Sequence, residues 1–267
     1  MGVKSNVNCF FISSVFFLRL VGSICGIGGG VIIKPVLDAT GTMSVTAISF
    51  LSGCTVLSMS IISVAKAMKN STVKINTKIT TWLAIGSVLG GMTGKVMFQV
   101  VKEVLQNENR TGAVQSIVMI FITLGTLIYT AKKNDIKTHN FENKILCFII
   151  GVILGILSSF LGIGGGPINL VILIFFFSMT TKEAAINSIY IILFSQIASL
   201  LHTILARKIP EVSVLYLGLM VLGGVCGGMA GSIVNKKISE EKVDKLFMGL
   251  MLVIVFINIY NAYVFMK

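Results

Sequence analysis

Residues 161–173 read L-G-I-G-G-G-P-I-N-L-V-I-L and lie inside an apolar run that extends from 145 to 177. As one helix, those 33 residues would be ~50 Å long at about 1.5 Å per residue. A bilayer core of ~30 Å needs only about 20 residues, and ordinary tilt does not absorb the excess. The three glycines at 164–166 each cost a helix roughly 1 kcal/mol against alanine. Pro167 follows them, and proline suits the first helical turn, where its missing N–H is not needed. The stretch therefore predicts a helix to about Leu161, a turn over 162–166 and a half-helix from Pro167.

The rest of the chain agrees with a membrane setting. Of 267 residues, 55% are hydrophobic and 12% charged, and the mean hydropathy is +0.94. A soluble domain carries about a quarter charged residues, enough to coat it in polar groups. Apolar runs occur at 8–33, 44–66, 79–101, 112–131, 145–177, 184–206, 212–235 and 246–266. The expected protein is an all-α polytopic membrane protein in the cell (plasma) membrane. The net charge of +12 sits largely at segment ends, as at Lys66, Lys69, Lys74 and Lys78. That distribution fits topology signals and anionic headgroups, and it excludes nucleic acid as a partner. The five cysteines fall within or beside apolar segments at spacings of neither a disulfide framework nor a metal site.

The glycine motif occurs twice. G-I-G-G-G-V-I-I-K-P-V-L spans 26–37 and G-I-G-G-G-P-I-N-L-V-I-L spans 162–173, an offset of 136. Met43, Ser44 and Ser52 meet Met179, Thr180 and Ser188 at the same offset, and G-G-M-T-G at 90–94 meets G-G-M-A-G at 227–231 one residue later. The chain reads as two homologous repeats of four apolar segments, 1–131 and 145–267, joined by a polar linker at 132–144. Recurrence of the first element deep in the chain argues against a cleaved signal peptide. In the first repeat the half-helix is expected from Val31, with an early interruption at Pro35. Eight single crossings make the repeats parallel and place 12 Lys/Arg against 9 across the membrane, excluding Arg19; hairpins at the glycines invert the repeats and give 13 against 8. The length of the 145–177 run favours the inverted arrangement.

Non-helical backbone at membrane depth is tolerated where it is buried in protein or lines a cavity. Half-helix N-termini there carry free N–H groups and partial positive charge, which suit an anion. The candidate binding residues are Gly28, Gly29 and Gly30 in one repeat and Gly164, Gly165 and Gly166 in the other. Ser52, Ser188 and Asn187 add hydroxyl and amide donors, with interhelical hydrogen bonding as the equally weighted alternative. Arg19, a lone charge two turns before Gly26, is a further candidate or else snorkels to an interface. For the glycines of 90–94 and 227–231, close helix packing is the favoured reading. Lys34 is expected to mark the exit of the first half-helix, and Lys95 and His202 are read as segment-end residues. All ten acidic residues fall in or next to loops, so no intramembrane carboxylate relay is expected. No H-E-x-x-H or nucleophile–base pair is present, and G-M-T-G-K at 91–95 departs from a Walker loop at Leu89 and Val96. Neither enzymatic activity nor a cofactor is implied.

Two G-I-G-G-G blocks, each early in a half of four apolar segments, resemble the TauE/SafE family, also called the sulfite exporter or TSUP family. The resemblance covers essentially the whole chain. It implies a permease for a small sulfur-containing anion such as sulfite, thiosulfate or sulfoacetate, and it carries over onto the glycines at 28–30 and 164–166 and onto Ser52 and Ser188. Arg19 departs from the pattern, since the second repeat has Gly155 there. The expected partners are a small anion and the lipid bilayer; a coupling ion and a homo-oligomer fit the reading without being written in the residues. An anion channel or exchanger, and a non-transporting membrane assembly or sensor protein, are the alternatives.

Overall fold

The computed structural model describes residues 21–22, 24–25, 27, 29–69 and 75–267. Arg19 and Gly28 lie outside the described residues. Those described form helices α1 (Gly30–Thr40), α2 (Val45–Lys69), α3 (Thr77–Leu105), α4 (Glu108–Lys132), α5 (Lys144–Leu161), α6 (Gly166–Phe177), α7 (Thr181–Leu205), α8 (Val214–Lys237) and α9 (Glu240–Met266). Seven of them, all but α1 and α6, are long and apolar enough to cross a membrane. Phe121, Ile128, Leu222 and Phe256 are each more than half exposed on their outer faces. In water such a surface would aggregate; in a bilayer it is the lipid contact.

The apolar run at 145–177 breaks where the sequence predicts. Gly162 caps α5 in the left-handed conformation with its N–H on the Ser158 carbonyl, and Pro167 sits in the first turn of α6. Between them Gly162, Gly164 and Gly165 hold φ of 68°, 81° and 72°, a region that side chains rarely enter. The break is a hairpin. The N–H groups of His139 and Phe141, just before α5, donate to the carbonyls of Phe175 and Phe176 at the end of α6, so the chain enters and leaves at the same end.

In the first half the helix differs from expectation. α1 starts at Gly30 and runs through Pro35 to Thr40, where Gly41 ends it in the left-handed conformation. Proline removes one intrahelical donor. The Pro35 carbonyl itself accepts from the Asn261 side chain of α9 at 2.8 Å, which ties α1 to α9.

Side-chain contacts fix the direction of each helix. At one face, termed near, the start of α2, the end of α3 and the start of α4 converge: Lys102 pairs with Glu108 at 2.6 Å, and Thr46 bonds to both. Lys208, just past α7, reaches Glu103 of α3 there. At the far face Lys133 after α4 pairs with Asp244 of α9, and Thr181 of α7 bonds to both. Hence α2 runs from near to far and α7 from far to near. α1 leads to the near face, whereas the α5–α6 hairpin belongs to the far face.

Glycine sets the packing distance of α3 on α5. A Cβ at Gly86, Gly90 or Gly94 would overlap the α5 backbone at Phe148, Val152 or Ile156, and one at Gly151 or Gly155 would overlap α3. The G-G-M-T-G block is thus a packing seam of the small-residue kind.

Candidate functional site

Half-helices α1 and α6, of 11 and 12 residues, enter from opposite faces and meet N-terminus to N-terminus inside the bundle. At ~1.5 Å per residue each covers a little over half of a ~30 Å core. Their breaks abut directly. A Cβ on Gly30 would lie 2.8 Å from the Ile163 carbonyl oxygen, and one on Gly166 would overlap the Ile27 carbonyl oxygen. The contact is reciprocal, since Gly30 and Gly166 are 136 positions apart, as are Ile27 and Ile163.

Polar side chains surround this crossing. Ser52 Oγ is 3.2 Å from the Cβ position of Gly30, while Ser158 and Asn169 lie against Gly165 and Ser49 against Gly162. Gln196 donates to Ser158 at 3.3 Å. Ser52 and Ser188 are completely buried, and their hydroxyls, with Ser49 Oγ and Asn169 Oδ1, have no hydrogen-bond partner among the described residues. Buried polar atoms normally find partners, and of these Ser52, Ser49 and Asn169 lie directly against the glycines of the breaks. Ser52 and Ser188 occupy matching places, on helices that each pack beside a half-helix.

Asn187 has a different task. Its Oδ1 accepts from the Asn76 N–H at 3.0 Å and the Thr80 hydroxyl at 2.6 Å, and its amide donates to the Glu183 carbonyl. It fastens the start of α3 to α7, the interhelical bonding that was its alternative reading. Gly29 is the N-cap residue of α1.

Asn169 and Gln196, the first against Gly165 and the second bonded to Ser158 beside it, are residues near the second break that sequence reasoning missed. A signal was present: Ser188, Ser195, Ser199 and Thr203 recur at helical spacing, as do Ser49, Ser52, Ser60 and Ser63 in α2, and all are buried. A polar stripe on an apolar helix marks the side that faces protein.

Two lysines also depart from expectation. Lys34 is not at an exit: it is 3% exposed and bonds Asp38 at 2.6 Å. Asp38, next to a loop in sequence, is a carboxylate inside the bundle, 6% exposed. Lys95, read as a segment-end residue, is 7% exposed and faces a cavity of about 480 Å³.

A bundle of apolar spans around two discontinuous helices that meet by their N-termini defines a polytopic membrane protein with a helix-break site. The chain belongs to the TauE/SafE sulfite exporter family, whose profile matches residues 11–258. A "Probable membrane transporter protein" of Methanocaldococcus jannaschii is 27% identical over 85% of this chain and 85% of its own length. Another so described, YunE of Bacillus subtilis, is 24% identical over 88% of this chain and 90% of its own. No solved structure matches. The protein is accordingly a multi-pass membrane transporter of this family.

Proposed function

We propose that the protein is a secondary transporter that binds a small anion between the glycine-rich tips of α1 and α6 and moves it by alternating access. The reciprocal contact of Gly30 with Ile163 and Gly166 with Ile27 carries the reading. Two positive helix ends are aimed at one point, beside hydroxyls that have no partner among the described residues and backbone bare enough for close approach. The opposite directions of α2 and α7 support inverted repeats, 1–131 and 145–267 about the linker 132–144, as in many secondary transporters. Sulfur oxyanions and organosulfonates are the substrate class that the family's description favours. The chemistry is carriage rather than catalysis.

The direct contact of the two breaks favours a carrier over a continuously open channel. In proteoliposomes, labelled sulfite, thiosulfate or sulfoacetate should move at a saturable rate, without the conductance of a pore. Absence of saturable flux for all three would sink the reading, and large single-channel currents would replace it with a channel.

A further inference from the structure

We infer that the cavity above Lys95 is an anion-binding vestibule on the extracytoplasmic side, with Lys95 as the charge that receives the anion. The inference rests on the transport reading and adds to it a residue, a route and a side of the membrane.

The cavity is lined by exposed residues of the near face, Gln106 and Asn107, and by the buried Lys95, Phe50 and Phe98. Lys95 lies ten residues before Leu105, the last residue of α3, or ~15 Å along a helix, which is about half of the membrane core. Its neighbours on the same helix lead onward: Gly91, one turn deeper, packs on Ser195, next in sequence to the Gln196 that reaches Ser158 beside the second break. Phe50 stands between Ser49 and Ser52 on α2. The helices α2 and α3, which carry the buried Phe50, Lys95 and Phe98, thus also carry residues that contact the breaks or their neighbours.

Charge in the cavity is unbalanced at one place. Three lysines line it, and two are matched, Lys102 with Glu108 and Lys208 with Glu103. Lys95 has no carboxylate within salt-bridge distance among the described residues; its ammonium lies over the Phe98 ring, 5.2 Å from the centroid. A buried cation without a counter-ion is costly, and intramembrane ionisable groups that face a cavity mark ion and substrate pathways. Under the repeat offset of this block Ser232 stands opposite Lys95, so the charge belongs to one half alone. A small oxyanion supplies the missing counter-charge, with Thr46, Gln99 and Thr203 as further polar contacts.

The basic residues set the side. Among the described residues, the helix directions put twelve Lys/Arg on the far side and seven on the near side. Two of those seven, Lys34 and Lys95, are buried within the bundle, leaving five at the near face. Cytoplasmic loops carry the excess of lysine and arginine. The far face is thus cytoplasmic, and the vestibule opens to the other side.

Two measurements test this. In a background with the five native cysteines replaced, Gln99→Cys should react with a membrane-impermeant thiol reagent added to intact cells, and sulfoacetate should protect it. Lys95→Gln should abolish that protection, whereas Lys95→Arg should keep it. Reaction only in inside-out vesicles overturns the orientation, and equal protection with Lys95→Gln overturns the anion site. In proteoliposomes Lys95→Gln should raise the KM for the transported anion about tenfold or more, as expected for loss of a charged hydrogen bond. An unchanged KM overturns the role of Lys95 while leaving the carrier reading intact. A wild type that moves no anion overturns the carrier reading, and thiol protection then decides Lys95 by itself.

Discussion

Lys34 and Lys95 are both buried lysines in the first half of the chain, and they differ in what surrounds them. Lys34 is matched by Asp38 one turn along α1, and the buried pair lines a small cavity with Gln115, Ser116 and Asn258. Lys95 has an aromatic ring beside it, no carboxylate within salt-bridge distance among the described residues, and a cavity in front. The first arrangement is electrically complete without a ligand; the second is not. Burial alone therefore does not separate a structural charge from a binding charge, and the partner does.

The largest expected effect breaks the matched pair. Asp38→Asn or Lys34→Met alone leaves a buried charge uncompensated, at a cost of about 3–5 kcal/mol. Thermal unfolding in detergent should show the loss, and the double variant should recover much of it. Additive losses would mean that the pair is not coupled. Lys95→Met, by contrast, should leave unfolding unchanged or raise its midpoint, because an unmatched charge is removed.

Next comes the crossing between the breaks. Gly166→Ala forces a methyl into the Ile27 carbonyl, and overpacking costs about 1–3 kcal/mol with loss of transport. Gly218→Ala, with open space around its Cβ position, should be silent in both assays. Equal behaviour of the two would remove the crossing from the mechanism.

A smaller effect is expected at the α7 cap, where Thr180 and Glu183 bond reciprocally in a capping box. Thr180→Ala should cost about 1 kcal/mol and leave KM unchanged. The smallest is Lys208→Ala at the vestibule mouth. Its pair with Glu103 is more than half exposed on both sides, and such pairs contribute about 0–1 kcal/mol. A KM change equal to that of Lys95→Gln would erase the distinction between the floor of the vestibule and its rim.

The membrane class, the spans and the break at 162–166 were legible in the residues, because hydropathy over about 20 residues and a glycine run before proline are local quantities. The α5 end at Leu161 and the proline in the first turn of α6 follow from backbone preferences that act within one turn. Helix α1 runs through Pro35 at the loss of one donor, and its carbonyl meets Asn261, more than two hundred positions away, a contact that no local reading contains. Lys34 and Asp38 were misplaced similarly, since proximity to a loop in sequence says little about depth on a half-helix enclosed by other elements.

The sequence by itself determined that this chain spans a membrane, and its motif pointed to the family. Only the tertiary structure decided that the two breaks touch, that Asn187 is spent on α3, and that Lys95 stands unmatched before a cavity. Those are questions of which distant groups share a desolvated volume, and charge pairing and orphaned hydroxyls have no meaning until the helices are packed.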